Sequence, residues 1–212
     1  MKCVVVHGSP RKHGNSSALA GMLAEELKGA EVSHWRLADL QYTGCLGCMS
    51  CRKKSDACIL EDEIAALIRE EIPAADVLII AAPVYHEYVC GQVKLFMDRF
   101  FSYFSQDYFK QPDLDKKPLN PRLAGEKTGV CVLTQGQPEI RYGYVADMME
   151  TFLYKTGFTH RHSLRGCLLN SSRDILNRPD LRERAGELAR LLNERYAKNR
   201  AMSQLNCPGF AK

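Results

Sequence analysis

The sequence predicts a single doubly wound α/β domain: a five-stranded parallel sheet in the order 2-1-3-4-5, sandwiched in three αβα layers. Three observations predict it. Strand-like and helix-like stretches alternate from the first residue, the pattern that covers a mostly parallel sheet with helices on both faces. The stretches at Val4, Val77 and Val130 are near-continuous apolar runs, as central strands buried on both faces require. Those at Val32 and His160 mix in His, Ser and Arg, as edge strands can.

The elements follow in order. Lys2–His7 is a β-branched run and the first strand. Residues 15–28 read as a helix with Leu19, Met22, Leu23 and Leu27 on one face. Residues 31–37 alternate as a strand, 61–72 read as a helix, and 77–82 form the third strand. In 91–104, Val93, Phe96, Met97, Phe100, Phe101 and Phe104 give a wide apolar helical stripe. Thr128–Thr134 is a strand, 144–157 a helix and 158–168 the last strand. Asn177 and Pro179 open a final helix to about Arg195, since Pro suits a first helical turn. The domain is expected over 1–199, with a cysteine-bearing loop at 44–60 and a long insertion at 105–125. A tail follows at 200–212.

Composition narrows the function. With 212 residues and a net charge of +4, the chain is too mildly basic to argue for nucleic acid or an anionic membrane. The longest apolar stretch, 77–82, is far too short to span a bilayer. The short start before a Gly-Ser-Pro turn does not read as a signal peptide, so a cytoplasmic location is expected. Nine cysteines are many for a reducing compartment, where clustered thiols bind metal or do redox chemistry.

The loop after the first strand reads Gly8-Ser9-Pro10-Arg11-Lys12-His13-Gly14-Asn15-Ser16-Ser17 and opens a helix. Hydroxyls, an amide and a guanidinium gather where a helix N-terminus presents free N–H groups, which suits a phosphate. Neither the Walker pattern nor G-x-G-x-x-G is present, so a mononucleotide phosphate is expected. The alternative is a plain polar turn in which Asn15 or Ser16 only caps the helix. In a doubly wound sheet the ligand lies beyond the strand C-termini, where strand order reverses. The loop Pro83-Val84-Tyr85-His86-Glu87-Tyr88 meets that point with aromatic groups for a flat ring. Thr134, Gln135 and Gly136 should approach the same crevice.

Three segments carry a family resemblance: the first loop through Ser16, the Ala82-Pro83-Val84-Tyr85 stretch, and Gly91-Gln92-Val93-Lys94-x-Phe96-x-Asp98-Arg99. Together they resemble the NAD(P)H-dependent FMN reductase family, of the flavodoxin-like superfamily. The resemblance implies FMN, its phosphate on Ser9, Arg11, Asn15, Ser16 and Ser17 and its ring near Pro83, Val84, Tyr85 and His86. It also implies NAD(P)H as co-substrate and a homodimer or homotetramer. Cys45, Cys48, Cys51 and Cys58 form C-x₂-C-x₂-C-x₆-C, similar to the run in the iron–sulfur flavoproteins. The tight, even spacing favours a [4Fe–4S] cluster over zinc. Thiols without a cluster, structural or redox-active, remain the alternative.

The expected activity is passage of electrons from a nicotinamide cofactor to a flavin, quinone or similar small acceptor, with the cluster as an added relay. No side chain is assigned as a catalytic acid or base, because the cofactor carries the hard step. Two other readings stay open: an electron carrier serving ferredoxin-like partners, and a thiol- or metal-based sensor without flavin.

Overall fold

In the computed structural model, residues 1–53, 57–103, 123 and 125–205 are described. The insertion expected at 105–125 falls outside them except for Leu123 and Gly125, as does the end of the tail at 206–212. The chain begins with β1 (Lys2–His7), α1 (Asn15–Glu25) and β2 (Glu31–Arg36). A single helical turn, α2 (Ser50–Lys53), lies in the cysteine loop, and α3 (Ile72–Ala74) precedes β3 (Val77–Tyr85). Then come β4 (Tyr88–Val89), α4 (Gly91–Asp98), β5 (Thr128–Thr134), α5 (Gly143–Lys155), β6 (His160–Gly166) and α6 (Pro179–Leu205).

Five strands run parallel in the order β2-β1-β3-β5-β6. A sixth, β4, pairs antiparallel with the end of β3, and the five-stranded expectation did not contain it. Apolar content places the strands as expected: β3 and β5 are buried almost throughout, while β2 and β6 are partly exposed edges. Successive side chains of a strand point to opposite faces, so each run feeds two cores. Val4, Val6, Leu78, Ile80 and Leu133 pack with Phe96 and Phe100, and with Val145 and Met149 of α5. Val5, Ile79, Val130 and Val132 pack on the other face against Leu19 and Leu23 of α1 and Ala185 and Leu192 of α6.

Several boundaries differ from the sequence reading. The helix expected over 91–104 ends at Asp98 and tightens into a 3₁₀ turn over Arg99–Tyr103. Three further differences have a local reason. The helix expected at 61–72 begins at Ala65 and passes through a π-helical stretch at Leu67–Glu71 into α3. Pro73 cannot donate a backbone bond there, and the acidic residues before the helix are used elsewhere. Asp62 pairs with Arg99, Glu61 with Arg69, and Glu63 accepts from the Gln41 N–H. Next, β3 continues past Ala82 to Tyr85, because Val84 and Tyr85 pair with Val89 and Tyr88 in a tight hairpin. The two turn residues, His86 and Glu87, both take positive φ (48° and 66°), as type I′ hairpin turns demand. Finally, α6 runs to Leu205, past Arg195 and into the expected tail. No Gly or Pro interrupts the sequence between Gly186 and Pro208.

Candidate functional site

The first loop leaves β1 against α4. The Gly8 N–H donates to the Ala81 carbonyl at 2.8 Å, and the Cys90 thiol donates to the Gly8 carbonyl at 3.0 Å. A Cβ on Gly8 would stand 2.0 Å from Val93 Cγ2, so only glycine allows this approach. The loop then turns back on itself: the Arg11 N–H donates to Ser9 Oγ at 3.2 Å. Gly14 is the N-cap of α1, and no side chain caps the helix. The plain-cap alternative for Asn15 or Ser16 is therefore not what the chain builds. Asn15 instead clasps a distant loop, donating from Nδ2 to the Ser171 carbonyl at 2.8 Å and accepting from the Ile175 N–H at 3.2 Å.

A cavity of about 190 Å³ opens beyond this helix end. Ser9, Arg11, Asn15 and Ser16 line it from one side, Pro83, Val84 and Tyr85 from the next strand, and Thr134, Gln135 and Gly136 from the third. Three loops separated in sequence thus meet where strand order reverses. The cavity continues into a cleft of about 560 Å³ that shares Val84, Gln135 and Gly136 and adds His86, Glu87, Gln137 and Tyr142. Ser17 departs from the expected set: it lines a different cavity, on the far side of the loop. Leu169 and Asn170 line the small cavity without having been singled out from sequence. Their signal was weak, since they follow the last strand in a polar turn.

The donor set suits a phosphate. Ser16 is 1% exposed and its Oγ has no hydrogen-bond partner among the described residues. A buried hydroxyl without a partner is costly, and a ligand oxygen would relieve it. The first-turn N–H groups of α1 add a partial positive charge. On the ring side, Tyr85 is exposed at the mouth of the hairpin, and the Tyr144 hydroxyl pins the turn by donating to the Glu87 carbonyl at 2.6 Å. Gln135 is also fixed, its Nε2 donating to the carbonyls of Gln137, Pro138 and Arg141.

The cysteine run forms a second locus. Cys45, Cys48, Cys51 and Cys58 all line one small cavity, together with Arg99 and Phe101. Two guanidinium groups hold the segment that carries Cys58. Arg99 is 1% exposed and donates from Nε to Cys58 Sγ at 3.3 Å and from Nη1 to Asp62 Oδ2 at 2.5 Å. Arg69 donates to the Cys58 and Leu60 carbonyls. Hydrogen bonds from Ser50 hold the exposed Cys48 thiol below its ordinary pKa. The Gly47 N–H donates to Cys45 Sγ at 3.4 Å. None of the four thiols is in a disulfide among the described residues, and among those residues no group of three or more His, Cys, Asp or Glu side chains stands close enough to hold a metal as placed. The donor set still fits a cluster: four thiols in one cavity, with a buried cation facing one of them. Cys3 and Cys131 are buried core residues whose thiols burial pushes up, Cys3 to about 12.

Comparison with known proteins agrees with this geometry. The sequence pattern of the NADPH-dependent FMN reductase family matches residues 1–133. The chain belongs to that family. The matched span covers the first-loop cradle, the Tyr85 hairpin, the cysteine run and all of β5 but Thr134. Among curated relatives, an iron-sulfur flavoprotein of Archaeoglobus fulgidus is 31% identical over 156 residues, covering 72% of this chain and 64% of the relative. Another, from Methanocaldococcus jannaschii, is 36% identical over 105 residues, covering 47% of this chain and 51% of the relative. The chain spans between half and just under two thirds of the length of these relatives. Solved structures agree on the fold. An FMN-dependent NADH-azoreductase from Bacillus anthracis in complex with FMN aligns at TM-score 0.64 and 13% identity, over 91% of this chain and 100% of that one. An NAD(P)H:quinone oxidoreductase from Methanothermobacter marburgensis aligns at TM-score 0.64 and 17% identity, over 91% and 96%. This FMN reductase family member thus shares the flavodoxin-like layering of those two structures. No helix among its described residues is long and apolar enough to cross a membrane.

Proposed function

We propose that this protein draws two electrons from NAD(P)H and passes them to a flavin, a quinone or a similar small acceptor, using FMN held in the three-loop cavity. One observation carries the reading: Arg11, the partnerless Ser16 hydroxyl and the uncapped helix end share a single cavity with Tyr85 and Gln135. Bound there, FMN supplies a ring that accepts hydride and returns electrons singly or in pairs. Ser9, Ser16, Arg11 and the helix N–H groups hold the phosphate. Pro83, Val84 and Tyr85 flank the ring, while Gln135, immobilised by three carbonyls, presents a fixed polar edge. The outer cleft at His86, Glu87 and Tyr142 admits first the nicotinamide and then the acceptor. As in the sequence reading, no side chain is given a proton-transfer role.

Cys45, Cys48, Cys51 and Cys58 hold a [4Fe–4S] cluster in this proposal, which would exchange single electrons with protein partners. The cysteine cavity and the names of the curated relatives favour a second reading, an iron–sulfur flavoprotein carrier serving ferredoxin-like partners. Purification without oxygen distinguishes the two. The reductase oxidises NAD(P)H with an added quinone or free flavin, as a homodimer or homotetramer. A carrier does so only when a partner reductase is supplied. Protein that takes up no FMN, in either redox state, overturns both.

A further inference from the structure

On the far side of the first loop lies a cavity of about 550 Å³ that the flavin reading does not use. Its walls carry His7, Lys12, His13, His34, Arg36 and Arg173, and among the described residues no Asp or Glu lines it. Its floor is apolar, from Ala18 of α1 and from Ile175 and Leu176 after β6. Lys12, Arg36 and Arg173 over an apolar floor suit an organic anion with a flat or apolar body. The volume falls in the range of sites for small organic ligands and far exceeds what a bare phosphate fills.

Two unsatisfied atoms point to a ligand. His7 is 7% exposed; its Nε2 meets His34 Nδ1 at 3.0 Å, but its Nδ1 has no partner among the described residues. Ser17 lines the same cavity, and its buried Oγ is likewise without a partner among them. Buried polar atoms are seldom left so unless something else satisfies them. Arg36 is partly neutralised by Asp39 at 2.8 Å, whereas Lys12 and Arg173 are exposed and enter no ion pair among the described residues.

We propose that this cavity binds a phosphorylated nucleoside, its phosphomonoester on Lys12, Arg36 and Arg173 and its base over Ala18, Ile175 and Leu176. Two sources share that chemistry: the 2′-phosphate end of NADPH, and a free nucleotide bound apart from the reaction. The site itself stands without the flavin reading; assignment to NADPH rests on it.

The probe is adenosine 2′,5′-bisphosphate, titrated calorimetrically into FMN-saturated protein. Saturable binding is expected, with plain adenosine at least tenfold weaker. The double variant K12E/R173N should weaken the bisphosphate at least tenfold while FMN content and thermal midpoint hold. Asn is chosen at position 173 because Arg173 sits at φ 73°, a conformation Asn tolerates. A KM for NADPH that rises in this variant while that for NADH stays puts the cofactor's adenosine end in the cavity. Both constants unchanged, with bisphosphate binding lost, assigns it to a separate nucleotide. The same titration in an Arg11→Ala chain guards against a failure of the flavin reading. Binding that disappears there but survives in K12E/R173N belongs to the first-loop cradle and overturns the proposal. So does the lack of saturable binding.

Discussion

The Ser16 hydroxyl sits buried at the start of α1 with no partner among the described residues. Removing it should therefore cost the empty protein nothing. Ser16→Ala is expected to leave the thermal midpoint unchanged or slightly raised, while FMN binds about tenfold more weakly, the loss of one charge-assisted hydrogen bond. Calorimetric titration of both proteins checks it, and equal affinities would remove Ser16 from the phosphate site. Arg99 makes the opposite case. Its partner Asp62 is 15% exposed, and Arg99→Leu strands that carboxylate. Breaking such a pair is expected to cost about 3 kcal/mol, read as a lowered denaturant midpoint. The same change should raise the reactivity of Cys58 toward a thiol reagent, because the segment from Thr43 to Leu60 loses a shared anchor. His7 carries a pH signature. Burial, with His34 and Arg36 adding to it, lowers its pKa to about 4. The unfolded chain, with an ordinary value near 6.5, binds the proton first. Stability is therefore complete above pH 6.5 and falls as pH drops toward 4, by on the order of 3 kcal/mol. His7→Gln should flatten that part of a midpoint-against-pH curve.

At the scale of elements, the hairpin joining β3 to β4 bears on both stability and function. Two non-glycine residues hold positive φ in its turn. Glu87→Gly should relieve the strain and raise stability by about 1 kcal/mol, seen as a higher urea midpoint. Loss of stability would show that the side chain, rather than the backbone, holds the turn. This hairpin was not legible in the sequence, since His-Glu is a poor signal for a turn that usually takes Asn-Gly. The central strands were legible as near-continuous apolar runs, and α1 and α4 by apolar stripes at helical spacing. The helix expected at Glu61 starts later, at Ala65, because the acidic residues before it serve Arg69, Arg99 and the Gln41 amide. Gly8 belongs to the same scale. Gly8→Ala would drive a methyl into Val93, expected to cost about 2 kcal/mol and to weaken FMN binding by shifting the loop.

For the whole molecule, two cores back to back across one sheet leave its C-terminal edge free to carry chemistry. The three-loop cavity could be foreseen, because each loop directly follows a strand that its composition marks as central. Leu169 and Asn170 were not foreseen, and neither was the basic cavity. Its walls come from residues 7, 12, 13, 34, 36 and 173, which only the fold brings together, and each taken singly reads as ordinary surface charge. Ser17 was assigned to the wrong side of the loop for a related reason. A helix turns about 100° per residue, so adjacent serines look in different directions.

Helix α4 touches both loci. Cys90 at its N-cap meets Gly8, the Gln92 carbonyl takes the Tyr42 hydroxyl, Leu95 lies under Gly44, and Arg99 just past its end meets Cys58. Its eight residues form a rod of about 12 Å. Whatever the two cradles carry is thereby spaced by a ruler of fixed length, clamped along its side by Val93 and Phe96 in the core.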